Sequence, residues 1–97
     1  MRTIDSLLNQ LKGLLPQIKT TYHVRSLEVF GSVVRGEASE NSDLDLLVTF
    51  DKMPSLFKFV ALQNELSDRL GVKVDLVMKD SLKPEIGRRI LEEAQPI

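Results

Sequence analysis

The segment of residues 29–49 constrains the chain most, because it places a glycine–serine pair and two aspartates between two apolar runs. Gly31 and Ser32 end the first run, and Asp43 and Asp45 begin the second run. Ten residues separate Ser32 from Asp43. Glycine has no Cβ atom, so an anion can approach its backbone closely. If a helix begins there, its free N–H groups and its dipole also favour an anion, and the Ser32 hydroxyl adds a donor.

The two aspartates lie two positions apart, so that in a strand both side chains point to the same face. Neighbouring carboxylates repel each other, and Mg²⁺, which binds carboxylates together with substrate phosphates, relieves that repulsion. A metal on Asp43 and Asp45, close to a phosphate on Gly31 and Ser32, is a geometry suited to phosphoryl transfer. Each motif alone is common in loops and turns without a function. Their combination at this spacing is far more specific.

The fuller pattern, Gly-Ser-x-x-Arg-Gly followed by Ser-Asp-x-Asp-Leu, resembles the minimal nucleotidyltransferases (MNT) of the DNA polymerase β-like nucleotidyltransferase superfamily. The matching residues are Gly31, Ser32, Arg35, Gly36, Ser42, Asp43, Asp45 and Leu46. The resemblance extends over essentially the whole chain. It implies metal binding and catalysis by Asp43 and Asp45, and nucleotide contacts from Gly31, Ser32, Arg35 and Ser42. Members of that family usually pair with HEPN proteins as toxin–antitoxin systems.

A third aspartate lies inside an apolar run further along the chain. Asp75 shares one face of a predicted strand with Lys73 and Val77, while the opposite face is more apolar. An aspartate in such a run is costly unless it is solvated, paired or bound to metal. A strand with one solvated face would explain it. The resemblance implies instead that Asp75 is the third carboxylate, which binds the metal and accepts the proton of the attacking hydroxyl.

The spacing of apolar residues predicts helices and strands in alternation. The predicted helices cover residues 3–20, 32–36, 54–70 and 84–94, and the predicted strands cover residues 26–30, 44–50 and 72–78. Pro16 predicts a kink or a break in the first helix. In the second strand, Leu44, Leu46, Val48 and Phe50 are expected to face the helices, and Asp43, Asp45, Leu47 and Thr49 an open face. We therefore predict a two-layer α/β (α+β) fold, a small mixed β-sheet with helices on one face; the resemblance implies the polymerase β-like nucleotidyltransferase fold.

Length and composition exclude several classes of protein. The chain has 97 residues, which suits a single domain over 1–97 without a separate substrate domain. Its net charge of −1 gives no footprint for direct nucleic-acid binding, and the lack of cysteine excludes disulfide and thiolate chemistry. We see no signal peptide and no apolar run of membrane-spanning length, so we expect a cytoplasmic protein.

The resemblance implies an enzyme, a Mg²⁺-dependent nucleotidyltransferase that moves AMP from ATP to a hydroxyl of a HEPN toxin. The expected acceptor is the hydroxyl of a tyrosine. The toxin would be silenced, and the two proteins would form a hetero-oligomer. Three alternatives stay open: an antitoxin that acts by binding alone, a small-molecule nucleotidyltransferase, and a structural module without a site. The leucine stripe of residues 3–20 is interpreted mainly as core, and Ile86, Ile90 and Leu91 of the last helix are expected to point inward. Basic residues that could contact phosphate, a partner or only solvent are Lys83, Arg88 and Arg89.

Overall fold

The architecture is that of a small α+β domain, seen in a computed structural model that describes residues 4–36 and 43–97. Ser42, a predicted nucleotide contact, lies outside the described residues. A short 3₁₀ turn covers Lys79–Ser81. The elements are α1 (Ile4–Tyr22), β1 (Val24–Phe30), α2 (Ser32–Arg35), β2 (Leu44–Phe50), α3 (Leu56–Leu70), β3 (Val74–Met78), α4 (Pro84–Glu93) and β4 (Gln95–Pro96).

The four strands form one mixed sheet in the order β3-β2-β1-β4. β1 pairs antiparallel with β2 and β4, whereas β2 pairs parallel with β3. A parallel pair needs a crossover connection, and α3 provides it. In this register Asp45 lies opposite both Phe30 and Asp75, so these three residues form one row across the sheet. The predicted fold class and mixed sheet are confirmed.

The core lies between one face of the sheet and the helices α1 and α3. As the spacing predicts, Leu44, Leu46 and Val48 face this layer and are almost fully buried. α3 contributes Leu62, Leu66 and Leu70, which recur at every fourth position and so form a stripe on one side of the helix. The leucine stripe of α1 is also core, since Leu11 and Ile18 are buried and Leu7, Leu8, Leu14 and Leu15 pack against the cluster.

The second face of the sheet is less open than the alternating pattern predicts. Leu47, expected on an exposed face, is only 1% exposed. The chain after β3 has to reach β4 at the opposite edge of the sheet, and it crosses this second face. Lys79 lies 2.9 Å from the carboxylate of Glu28, and Glu28, Leu47 and Val77 form one row, so the ion pair spans β2 above Leu47.

Several element boundaries differ from the prediction. α1 runs through Pro16 without the predicted break, because Pro16 is exposed and the carbonyl four residues before it can be solvated. The helix continues to Tyr22, and β1 begins at Val24 after a single residue, His23, whose φ is 58°. α3 begins at Leu56 rather than at residue 54, and β3 begins at residue 74 rather than 72. Within the described residues, no helix combines the length and apolarity that crossing a bilayer requires.

The strand β4 at the C-terminal end was not predicted. Gln95 lies opposite Val29, and the N–H of Ile97 donates to the carbonyl of Leu27 at 3.2 Å. A two-residue strand that contains proline has no periodicity to recognise, and proline is tolerated here because β4 is an edge strand. Its pairing with β1 brings the end of α4 beside the end of β1, where the glycine–serine pair lies.

Candidate active site

Gly31 follows β1 directly and occupies a backbone conformation that is open almost only to glycine. Its φ is 81° and its ψ is −152°. A Cβ atom at this position would lie 2.2 Å from Oδ2 of Asp45, far inside van der Waals contact. The sequence predicts glycine here to admit a phosphate. The structure adds a second reason, because the carboxylate of Asp45 already lies against the Gly31 backbone.

The three predicted catalytic carboxylates gather at one end of the sheet. Asp45 and Asp75 lie opposite each other on the parallel strands β2 and β3, and Asp43 comes two residues earlier. Asp45 is half-buried, whereas Asp75 is exposed. Burial, and then the charges of Asp75 and Asp43, raise the pKa of Asp45, and Arg35 opposes the shift. The structure therefore brings the predicted set together around Asp45.

The donor chemistry of this cluster fits a magnesium ion shared with a nucleotide. Among the described residues, no three His, Cys, Asp or Glu side chains converge closely enough to hold a metal by themselves. Mg²⁺ does not need such a cage, since it is commonly bound by one or two carboxylates and completed by phosphates and water. Burial is the larger cause of the raised pKa of Asp45, and a cation beside it would offset the second cause, the repulsion from Asp75 and Asp43. The solvated Lys73 ammonium, 4.0 Å from Asp43, offsets little of it.

The sequence does not predict a fourth carboxylate, that of Glu93, at the end of α4. The N–H of Gly31 donates to its Oε2 at 2.8 Å, and the guanidinium of Arg35 donates to its Oε1 at 2.7 Å. The Arg35 hydrogen bond, and then that from Gly31, lower the pKa of Glu93. The sequence does contain a signal for such a contact. Glu92 and Glu93 end a helix that has no basic residue in its last turn, and acidic residues are disfavoured there unless they are paired.

The predicted nucleotide contacts Ser32 and Arg35 lie in α2, which is only four residues long. A helix of one turn adds little dipole, so the dipole part of the prediction is weak here. The Gly31 N–H, expected to be free, is already hydrogen-bonded to a side chain. Arg35 lies near two carboxylates, because its charge acts on both Asp45 and Glu93, and its predicted nucleotide contact remains a prediction. Ser32 is half-buried beside Gly31, and its nucleotide contact remains a prediction.

Two apolar side chains of α4 are exposed rather than buried as predicted, whereas the partner contacts of Lys83, Arg88 and Arg89 remain predictions. Ile86 and Leu91, expected to point inward, are 62% and 46% exposed, because the small Gly87 is the residue of α4 that packs against Leu82. Lys83 and Arg88 line a cavity of about 460 Å³ beside α4. The charge of Arg89 helps to lower the pKa of Glu93. The most exposed large apolar side chains precede or begin α3, and they are Met53, Leu56 and Phe57.

Comparison with known proteins gives three findings. The nucleotidyltransferase domain family matches residues 8–97. The chain is 45% identical over 93 residues to the protein adenylyltransferase MntA of Thermococcus cleftensis, covering 96% of this chain and 94% of that protein. A solved minimal nucleotidyltransferase superposes with a TM-score of 0.84 at 36% identity, covering 99% of this chain and 97% of the other.

A further solved structure contains a complex of two proteins. It is the tri-AMPylated HEPN toxin of Shewanella oneidensis in complex with an MNT antitoxin. One chain of that structure superposes on this chain with a TM-score of 0.71, and the match covers 97% of this chain and 71% of the other. The sequence identity is 18%, so this likeness shows a shared fold.

Proposed function

The chain belongs to the nucleotidyltransferase family, is an enzyme of the minimal type within it, and on that premise we propose that it is an antitoxin that transfers AMP from ATP to a HEPN toxin. The acceptor in this proposal is a tyrosine hydroxyl. The observation that carries the proposal is the row in which Asp45 and Asp75 lie opposite each other, with Gly31 against Asp45. The 45% identical relative named as a protein adenylyltransferase supports a protein acceptor.

The residues have distinct roles in the proposed reaction. The Gly31 N–H, the Ser32 hydroxyl and the Arg35 guanidinium hold the phosphates by charge-assisted hydrogen bonds, and Ser42 belongs to the same proposed set. Mg²⁺, when bound by the aspartates, would supply charge neutralisation for the triphosphate. Preorganised donors and charges of this kind provide most of the rate enhancement in phosphoryl transfer.

Asp75 is the proposed acceptor of the proton. The acceptor oxygen attacks the α-phosphorus, the bond from that phosphorus to the bridging oxygen breaks, and pyrophosphate leaves. The proton of the attacking hydroxyl passes to Asp75, which suits this role because it is exposed and can be reached from outside the protein. Asp45 is half-buried, and in this proposal it acts at the phosphates of the nucleotide and not at the attacking hydroxyl. A positioned acid–base group contributes about 10²- to 10⁴-fold to a rate.

The proposed acceptor lies on another protein, and the surface offers a place for one to dock. Met53, Leu56 and Phe57 are 71%, 76% and 88% exposed and lie within five positions of the sequence, and we assign the docking of the toxin to them because exposed apolar patches mark interaction surfaces. They follow β2 at the end opposite Asp45, so a toxin covering them would leave nucleotide access unblocked. Phe57→Asp should weaken toxin binding in a pull-down while ATP binding stays unchanged.

The decisive experiment weighs the toxin. The purified pair is incubated with ATP and Mg²⁺, and intact mass spectrometry should show additions of one adenylyl group or more on the toxin. Asp45→Asn should abolish them, and Asp75→Asn should slow them by about 100-fold or more while ATP still binds. Asp68→Asn, an exposed aspartate on α3, is the matched control and should react normally. A toxin that is neutralised without any added mass would favour the antitoxin that acts by binding alone.

A second measurement tests the metal. Titration calorimetry should show clear ATP binding with Mg²⁺ and weak or no binding in EDTA, because the clustered carboxylates repel a triphosphate unless a cation lies between them. Asp43→Asn together with Asp45→Asn should remove the part of the affinity that depends on metal. Equal affinity with and without metal would contradict the assignment of these residues.

A further inference from the structure

Both oxygens of the Glu93 carboxylate are engaged by groups that the proposed function assigns to the nucleotide. The Gly31 N–H is 2.8 Å from Oε2, and the Arg35 guanidinium is 2.7 Å from Oε1. A hydrogen on Gly31 can point to only one close acceptor, and the Arg35 N–H that is bonded to Glu93 is not available to a phosphate while that contact lasts. In this arrangement a side chain of the protein occupies the place of an anion.

The contact is fixed by the fold around it. Glu93 ends α4, and the next residues pair with β1 as β4, which anchors the carboxylate at the end of β1. Its side chain is 20% exposed, against 49% for Arg35, so water competes little for it. The charge of Glu93 also contributes to the raised pKa of Asp45. The contact is therefore held by its two donors against repulsion from the catalytic carboxylates.

We propose that Glu93 is an internal competitor for the phosphates of the nucleotide and so determines nucleotide affinity. This inference rests on the proposed function, because it assumes that Gly31 and Arg35 bind phosphate. Binding then requires the incoming phosphates to displace the carboxylate from both donors. A triphosphate, with its higher charge, displaces a single carboxylate more readily than a monophosphate does. After transfer, Glu93 takes back the same two donors and so favours release of pyrophosphate.

Two variants of equal charge change test this proposal. Glu93→Gln keeps the size of the side chain and removes the charge, while Glu92→Gln removes one charge from the neighbouring exposed position. With Mg²⁺ present, calorimetry should show ATP and inorganic pyrophosphate binding about tenfold more tightly to Glu93→Gln than to wild type. Glu92→Gln should bind both as wild type does. Thermal unfolding of each variant checks that the fold is intact.

The sign of the change separates competition from a structural role. If Glu93 only held Gly31 and Arg35 in position, Glu93→Gln would bind ATP more weakly, and that result, like unchanged affinity, would overturn the proposal. In wild type, ATP should also shift the amide resonances of Gly31 and Ile97, because release of Glu93 alters the end of β4. Absence of both shifts on saturation with ATP would overturn it too.

The outcomes also separate this inference from the proposed function. Tighter binding by Glu93→Gln, together with an unmodified toxin, would keep the competition and refute the transfer of AMP to that acceptor. Transfer by wild type, together with no tightening in Glu93→Gln, would refute the competition alone. If neither protein binds ATP or pyrophosphate, both proposals are wrong.

Discussion

Replacing Gly31 by alanine should disturb the domain more than the same replacement at Gly13 or Gly36. The residue has φ 81° and ψ −152°, a region in which an L side chain is strained by about 1–3 kcal/mol. The new Cβ would also lie 2.2 Å from Oδ2 and 3.1 Å from Cγ of Asp45. Asp45 cannot remain in place beside it, so the variant should lose both stability and the geometry of the carboxylates.

The expected magnitude follows from these two effects. Backbone strain and the displacement of a half-buried carboxylate together should lower the free energy of unfolding by about 3 kcal/mol. For a domain of this length, about 1 kcal/mol corresponds to a shift of about 4–8 °C in Tm, so the expected decrease is about 12–24 °C. Urea unfolding and a thermal scan measure these quantities directly.

Two other glycines serve as controls for the backbone and for the space. Gly36 has φ 74°, but a Cβ added there would meet no atom of residues 4–36 and 43–97 within 4 Å, so Gly36→Ala should cost about 1 kcal/mol from strain alone. Gly13 lies inside α1, and a Cβ added there would likewise meet no described neighbour, so Gly13→Ala should stabilise the domain by about 0.5–1 kcal/mol. The double variant Gly31→Ala with Asp45→Ala should recover the part due to the clash. A loss for Gly31→Ala no larger than that for Gly36→Ala would refute the reasoning.

Two further predictions concern charged side chains. The raised pKa of Asp45 means that the folded state keeps this proton to a higher pH than the unfolded state, so its contribution to stability is lost as the pH rises through the folded pKa. Asp45→Asn should therefore be more stable than wild type at neutral pH, with a flatter dependence of the unfolding free energy on pH above about pH 4, the ordinary pKa of an aspartate. An unchanged slope would contradict this. Lys79→Met should lower the free energy of unfolding, measured in urea, by about 1–3 kcal/mol. The reason is that Oε2 of Glu28 is buried and has no well-aligned hydrogen bond among the described residues, so it depends on the Lys79 ammonium at 2.9 Å. Arg25→Ala, which breaks a fully solvated pair with Asp51, should leave the unfolding free energy unchanged, and equal losses in the two variants would refute the distinction.

The face of the sheet on which each of the three aspartates lies could be predicted, because it depends on strand parity alone. A period of two puts Asp43 and Asp45 on the same face, and the same period puts Asp75 on the less apolar face of its own strand. The parallel pairing that aligns Asp45 with Asp75 was not readable in the same way. It depends on how the crossover helix packs, which involves residues far apart in the chain.

Contacts made by the C-terminal residues could not be predicted from the sequence, for a different reason. Glu93 meets Gly31 across 62 positions of the chain, and nothing in a helix that ends with two glutamates states which one is paired. The burial of Leu47 follows from the same crossing segment, because a strand pattern reports the alternation of faces and not what covers them. The unbroken α1 shows the converse case, in which local propensity overstated the effect of an exposed Pro16.

The pairing of β2 with β3 sets the spacing between Asp45 and Asp75, so this spacing does not depend on the length of the turn between β2 and α3. The turn after β2 is solvent-exposed at residues 51–53 and lies at the far end of the strand from Asp45. Lengthening such a turn costs an entropy that grows only slowly with the number of residues added. A fluorophore-bearing peptide inserted between Lys52 and Met53 should therefore leave the proposed nucleotide site intact while it hinders a toxin at the proposed docking surface of Met53, Leu56 and Phe57. Such an insertion would uncouple nucleotide binding from acceptor binding within one polypeptide.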